Sequence, residues 1–341
     1  MLENIRRLRE RVRVPVFIYG ESNLRYYTGL AQLPGGLLVE KAEETLITRD
    51  MELGRNAPVS NIVQAKDRTS VELFKILKRK KIRTLGVDFE NLSCELFKKF
   101  QAKRIRLVDV SKILSSIRAV KTKEEISKIE KASELADKAM VEVVSNLSAG
   151  MTERQVRNYA LSVLPQAEDV AFSFIIASGP NSEYTHAYPS ERRIALNDLV
   201  IVDIGFRVDG YCSDLTRTFC LNPTNQQKSL YDTVLEAQRL AINSVSTGVA
   251  CRDVWRKVNA FFKKDDLDRF WKYGLGHGVG LDIHEAPSIS KESADRFKSG
   301  MTFTIEPGLH IPDFGGVRIE DTFLLDNRIR ALTNSDYALE P

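Results

Sequence analysis

Two aspartates interrupt a stretch of chain otherwise written to be buried, and nothing else in the sequence constrains the fold as much. In Leu199-Val200-Ile201-Val202-Asp203 a carboxylate follows a run of aliphatic residues, and a second one, Asp214, comes in Cys212-Ser213-Asp214-Leu215. An unpaired carboxylate in a buried strand costs several kcal/mol, so it needs a cation or must take up a proton. The turn signal Arg207-Val208-Asp209-Gly210 lies between the two. Read as a four-residue hairpin loop, it sets Asp203 opposite Asp214. Such cross-strand partners stand with Cβ atoms about 5 Å apart on one face of the sheet. Facing carboxylates repel unless something cationic joins them. That something is one or two hard divalent metals, or the guanidinium of Arg217 neutralising one of the pair.

Three further segments bear on this choice. Gly274-Leu275-Gly276-His277-Gly278-Val279-Gly280-Leu281-Asp282-Ile283-His284-Glu285 holds two of the chain's four histidines in its most glycine-dense stretch. Glycines beside His277 let the backbone approach closely and leave the ring unobstructed. Met301-Thr302-Phe303-Thr304-Ile305-Glu306 alternates as a strand and aims Thr302, Thr304 and Glu306 to one face. Val317-Arg318-Ile319-Glu320-Asp321-Thr322 does the same with Arg318, Glu320 and Thr322. Taken singly, each has a bland reading: a lone histidine is more often structural, and a strand glutamate more often faces solvent. Taken together they give two aspartates, one histidine and two glutamates. Four oxygen ligands with one imidazole suit Mn, Co, Fe or Zn, and the absence of thiolate argues against a structural zinc site.

Composition removes other classes. The 341 residues carry 50 basic and 46 acidic side chains with both signs interspersed, for a net charge of +4. The longest basic run, Lys78-Arg79-Lys80-Lys81, reads as a solvated helix end, so no nucleic-acid partner is expected. No stretch reaches the ~20 apolar residues needed to span a bilayer, and Val14–Tyr19 is too short and too closely preceded by charge for a signal peptide. Cys94, Cys212, Cys220 and Cys251 show no metal-site or redox spacing and read as reduced thiols. A cytoplasmic protein without membrane association is expected.

Along the chain, the first third alternates strands at Val14–Tyr19, Leu37–Val39, Leu46–Thr48, Leu85–Asp88 and Ile105–Val108 with helices at Ser70–Lys80 and Ser93–Phe100. This predicts a small α/β domain with a partly parallel sheet over residues 1–117. A long helix over 123–147 then opens a second domain, 118–341. Thr152 with Gln155 makes a capping box for the next helix. Helices at 152–164, 225–245 and 251–264 cluster apart from strand patterns at 170–177, 198–221 and 301–332, which argues for α+β.

The segments VDIG, DGYCSDLTRTF, GHGVGLDIHEAP, TIEPG and RIED, in this order, resemble the pita-bread metallopeptidases: Xaa-Pro aminopeptidases, Xaa-Pro dipeptidases (prolidases) and methionine aminopeptidases. The resemblance covers residues from about 118 to 332. Asn23-Leu24-Arg25-Tyr26-Tyr27-Thr28-Gly29-Leu30 resembles the creatinase-type N-terminal domain of the proline-specific branch.

The resemblance implies an α+β pita-bread catalytic domain behind a smaller α/β creatinase-type domain, and two divalent metal ions, Mn or Co with Zn or Fe also compatible. Asp203 would chelate one metal, Asp214 and Glu320 would bridge both, and His277 and Glu306 would complete the ligand set of the second metal. Glu306 would also handle the proton of the attacking water. His186 and His284 match the two family histidines near the scissile carbonyl, and Arg318 matches the arginine that orients or neutralises the last glutamate. His310 matches no motif and reads as structural.

The implied activity is cleavage between an N-terminal residue and proline in short proline-containing peptides by a homodimer associating through its N-terminal domain. Some family dipeptidases place an arginine just after the second histidine, where this chain has Glu285-Ala286-Pro287-Ser288. That tilts the reading towards an Xaa-Pro aminopeptidase, with an Xaa-Pro dipeptidase, then a methionine aminopeptidase, as alternatives. A non-catalytic binding module would be expected to have lost ligands, and creatinase lacks the full set. Phe174, Tyr184 and Tyr188 are the aromatic candidates for a proline pocket.

Overall fold

The computed structural model describes residues 2–341, and its contacts divide the chain into two units, Met1–Arg118 and Ala119–Pro341. In the first, the order is α1 (Leu2–Arg11), β1 (Val16–Ile18), α2 (Glu21–Thr28), β2 (Gly35–Val39), β3 (Glu44–Thr48), α3 (Met51–Gly54), β4 (Asn61–Gln64), α4 (Thr69–Arg79), β5 (Thr84–Val87), α5 (Cys94–Ala102), β6 (Arg106–Asp109) and α6 (Ser111–Ala119). The strands form one sheet in the order β4-β3-β2-β1-β5-β6, parallel at β3/β4, β1/β5 and β5/β6 and antiparallel elsewhere. Phe17, Leu38, Ile47, Leu85 and Val87 from the sheet pack on Leu73, Ile76, Leu77 and Phe100 from the helices.

The predicted strands are all present. Helices α1, α2, α3 and α6 and strand β4 had not been predicted. The Asn23–Gly29 motif proves to be α2, closed by Gly29 in the left-handed conformation (φ 74°) that favours glycine. Asn23 in it ties Asp88 to the guanidinium of Arg118.

The second unit continues with α7 (Lys123–Asn146), α8 (Glu153–Ala160), β7 (Asp169–Val170), β8 (Ile175–Ser178), β9 (Val200–Ile204), β10 (Phe206–Val208), β11 (Tyr211–Cys212), β12 (Leu215–Phe219), α9 (Asn225–Ile242), α10 (Cys251–Lys263), β13 (Gly276–Gly278), β14 (Glu285–Ile289), β15 (Met301–Ile305), β16 (Gly308–Ile311), β17 (Gly315–Arg318), β18 (Asp321–Leu325) and β19 (Ile329–Ala331). Capping boxes start α7 (Thr122 with Glu125), α8 (Thr152 with Gln155) and α9 (Thr224 with Gln227).

Two cores result. Leu135, Ala139 and Val143 of α7 and Val156 of α8 pack on Val200, Val202 and Ile204 of β9 and on Leu215 and Phe219 of β12. Val234 and Ala237 of α9 with Val254, Val258 and Phe262 of α10 pack on Phe303, Ile305, Phe323 and Leu325 of the sheet β14-β13-β15-β18-β19. Strand alternation then leaves Asp203 on the face of β9 away from its helices, and Thr302 and Thr304 on the corresponding face of β15. The helices bury one side of each sheet, and polar residues collect on the other.

The hairpin register differs from the one predicted. Arg207 pairs with Cys212 and Val208 with Tyr211, so the turn has two residues, Asp209 and Gly210, both at positive φ (47° and 86°). Asp-Gly is the strongest short signal for such a turn, whose backbone twist matches that of the flanking strands. Asp203 therefore stands opposite Thr216, two residues beyond Asp214. Both carboxylates still reach one site, because a shift of two preserves the face.

Candidate metal centre

Each strand delivers its polar residue to the same cleft, a cavity of about 510 Å³ lined by Asp203, Asp214, His277, Glu306, Arg318 and Glu320, with His186 and His284 towards solvent. Asp203, Asp214, Arg318 and Glu320 are almost completely buried. One ligand atom each of Asp214, His277 and Glu320 lie within 4.8 Å of one another. His277 Nε2 stands 3.5 Å from Asp214 Oδ2 and 3.3 Å from Glu306 Oε1. The His277 and His284 rings meet edge to face with centroids 4.1 Å apart.

Hydrogen bonds orient this set. Thr216 Oγ1 donates to Glu320 Oε2 (2.6 Å), and Thr322 Oγ1 donates to the carbonyl of Asp214 (2.8 Å). Thr304 Oγ1 accepts from the His277 backbone N–H (3.2 Å). Thr216 had not been singled out in the sequence, although it follows Asp214 at the two-residue spacing that keeps a strand face. Arg318 Nη2 donates to Asp203 Oδ2 at 2.5 Å, and Nη1 donates to the carbonyl of Thr185. The predicted partner of Arg318, Glu320, is thus replaced by Asp203. Arg217, the alternative counter-charge for the aspartates, instead pairs with Asp321 at 2.7 Å, behind the sheet.

The electrostatics are unbalanced. Four carboxylates share the cleft with one guanidinium, and Asp203 Oδ1 and Glu320 Oε1 are buried without a hydrogen-bond partner. Burial raises Asp203 above the ordinary carboxylate range even with Arg318 alongside. Burial, then repulsion from Glu320 and Asp203, holds Asp214 well above it. Burial, then Glu306 and Asp203, does the same to Glu320. Burial pushes Glu306 upward too, but the hydrogen bond and charge of His277, with Arg318, bring it below its usual value. Desolvation and then His277 lower His284. Unpartnered buried oxygens in an excess of carboxylate are what a hard divalent cation would satisfy, so the donor set fits such ions.

Residues 127–327 match metallopeptidase family M24, and residues 5–120 match the creatinase/prolidase N-terminal domain. The chain belongs to the M24 metallopeptidases. It is 36% identical over 331 residues to the Xaa-Pro dipeptidase of Pyrococcus furiosus, spanning 95% of this chain and 94% of that one. The solved prolidase of Pyrococcus horikoshii superposes with a TM-score of 0.91 at 30% identity, covering 99% of both chains. The Xaa-Pro dipeptidase of Bacillus anthracis gives 0.93 at 29%, again over 99% of both. The pita-bread fold and the metallo-exopeptidase class read from the sequence therefore stand. So does membership of the Xaa-Pro peptidase branch.

Among the aromatic candidates, Tyr188 lines the cleft, whereas Phe174 is buried against Phe206 in the core under β9. The wall position belongs to Phe172, two residues earlier in the irregular segment before β8. Tyr184 is exposed and lies outside the lining. His310 is fully buried, its Nδ1 donating to the carbonyl of Ser182 at 2.8 Å, and takes no place in the cleft lining. No helix among the described residues is long and apolar enough to cross a membrane.

Proposed function

We propose that this chain is an Xaa-Pro dipeptidase, hydrolysing short proline-containing peptides with two divalent cations, Mn or Co, held by Asp203, Asp214, His277, Glu306 and Glu320. The observation that carries the site is the convergence of four carboxylates and one imidazole on unpartnered buried oxygens. The dipeptide preference is supported by the relatives, of which the Pyrococcus furiosus enzyme matches nearly end to end. This replaces the leaning towards an aminopeptidase drawn from Glu285-Ala286-Pro287-Ser288; the lack of an arginine in that stretch keeps the aminopeptidase as the second reading.

When bound, such ions polarise a carbonyl as Lewis acids and bring the pKa of water near neutrality. The protein supplies the rest. Asp203, Asp214, His277, Glu306 and Glu320 would together hold the ions, Asp214, His277 and Glu320 with ligand atoms within 4.8 Å of one another. Glu306, kept ionised by His277, would accept a proton from the attacking water and return it to the departing proline nitrogen. His284, its pKa lowered, is neutral at pH 7 and would donate an N–H to the oxygen of the scissile carbonyl as charge develops there. His186 also lines the cleft, its Nδ1 3.2 Å from Thr185 Oγ1, and would assist the same oxygen. Arg318 would hold Asp203 in place. Phe172, Tyr188 and Ile283 give the cleft an apolar wall for the pyrrolidine ring. A homodimer completes the proposal; sedimentation at micromolar concentration should give twice the chain mass.

The test is hydrolysis by chelator-stripped protein reloaded with Mn or Co, on Ala-Pro and Ala-Pro-Ala. Metal-restored cleavage of Ala-Pro alone supports the dipeptidase. Preferential cleavage of Ala-Pro-Ala makes the enzyme an aminopeptidase, and cleavage of neither overturns the proline assignment.

A further inference from the structure

A second ionic site lies behind the cleft, and its burial is out of keeping with a chance surface pair. The Lys121 ammonium is 1% exposed and stands 2.9 Å from Glu285 Oε1, whose side chain is 7% exposed. Two charges so buried lose most of their hydration, and replacing such pairs with apolar residues is often neutral or stabilising. Stability alone therefore does not account for the pair.

Its place in the chain does suggest a use. Glu285 directly follows His284, and its backbone pairs with Gly278, directly after His277. His284 closes the bend that leads into β14, so a carboxylate fixed on Lys121 anchors the backbone immediately after the ring that lines the cleft. Lys121 is itself immobilised. Its N–H donates to the carbonyl of Gly300 (2.8 Å), and Val120 bridges to Met301 at the start of β15, the strand that leads to Glu306. The Glu285 carboxylate lies against the backbone of Gly280, where a Cβ would sit 2.4 Å from Oε1. The other end of this loop hangs on the aspartate hairpin, through Cys212 N–H to Gly280 O (2.8 Å) and Arg207 Nη1 to Leu281 O (2.9 Å). The first turn of α7 grips that hairpin too, Tyr211 donating to Glu125 Oε1 at 2.7 Å.

The geometry points to Lys121 and Glu285 as positioning residues for His284, acting on turnover through that ring. This rests on the peptidase reading above and on the part it gives His284. The test is a double-mutant cycle on the metal-loaded enzyme with Ala-Pro, using Lys121→Met, His284→Ala and the two combined, each with its metal content measured. Lys121→Met should lower kcat by ~10- to 10²-fold, the scale of a misplacement of about 1 Å, with KM little changed and both metals retained. Added to His284→Ala it should change kcat by less than about twofold, because the ring it positions is gone.

Equal losses in both backgrounds, loss of metal, or unchanged kcat in Lys121→Met would overturn the inference. A His284→Ala enzyme at full speed would overturn the assigned part of His284 and the inference with it. Should Lys121→Met fail to fold, Glu285→Gln, which keeps the shape and an acceptor, is carried through the same cycle with the same outcomes.

Discussion

The second unit contains two buried aspartate–arginine pairs, alike in residue type and opposite in character. Arg217 donates to Asp321 Oδ1, to the carbonyls of Thr216, Glu320, Ser335 and Asp336, and lies 4.5 Å beneath the Tyr337 ring. Asp321 is equally well supplied, with Thr333 on Oδ1 and Gln238 and Tyr337 on Oδ2. Asp203, by contrast, has Arg318 on one oxygen and no partner on the other. Around it stand Asp214, Glu306 and Glu320, which Arg318 alone cannot neutralise. A buried polar group with every valence met is architecture. One left unmet, at a cost of ~1–3 kcal/mol, marks a place where something else is bound.

The largest effect should come from the unsatisfied side. Asp214→Asn removes the charge of a proposed metal ligand and should lower kcat/KM at least ~10⁴-fold, about 5 kcal/mol of barrier, with metal lost in parallel. Steady-state kinetics with elemental analysis checks both; retained activity would break the ligand assignment. On the satisfied side, Asp321→Asn strands Arg217 and should cost roughly 3–5 kcal/mol of stability in denaturant unfolding. Turnover at saturating metal should then survive to the extent that the protein remains folded. If the two substitutions behaved alike, the contrast between the pairs would be void.

A third buried polar group sharpens the picture. Burial, then the charge of Arg318, lowers the pKa of His310 to about 4. The unfolded chain then binds the proton more tightly, so this contribution is complete above about pH 6.5 and is lost as pH falls towards 4, roughly 3 kcal/mol in all. His310→Gln should flatten that acid limb in melting experiments between pH 4 and 7. An unchanged limb would show that His310 is not its source. The smallest effect belongs to the rim: Tyr188→Ala should raise KM by up to ~10-fold, within about 1.4 kcal/mol, and leave kcat nearly untouched.

The parts of this contrast were unequally legible in the sequence. The five proposed ligands could be found because Asp203 ends an aliphatic run, Asp214 lies across the turn from it, His277 stands between glycines, and Glu306 and Glu320 continue alternating strands. Their partners could not. Whether Arg217 or Arg318 neutralises an aspartate depends on which face of which strand each occupies after the sheets are packed. Each arginine lies within three residues of a candidate carboxylate, Arg217 of Asp214 and Arg318 of Glu320. The hairpin register was in principle readable from Asp209-Gly210, whose positive-φ turn closes in two residues rather than four. Phe172 and Phe174 lie two apart in an irregular segment with no periodicity to orient them, and only the packing of Phe174 on Phe206 separates wall from core. In the first unit α2 spans only eight residues, too few for periodicity to stand out, whereas the spacing of Leu2, Ile5 and Leu8 made α1 readable in principle.

The most direct test of the central claim is the number of metal ions bound per folded chain, by equilibrium dialysis against Mn followed by elemental analysis. Two ions per wild-type chain, falling below one in Asp214→Asn, is the predicted result. A folded wild-type chain holding less than one ion, or an Asp214→Asn chain keeping two, would contradict it.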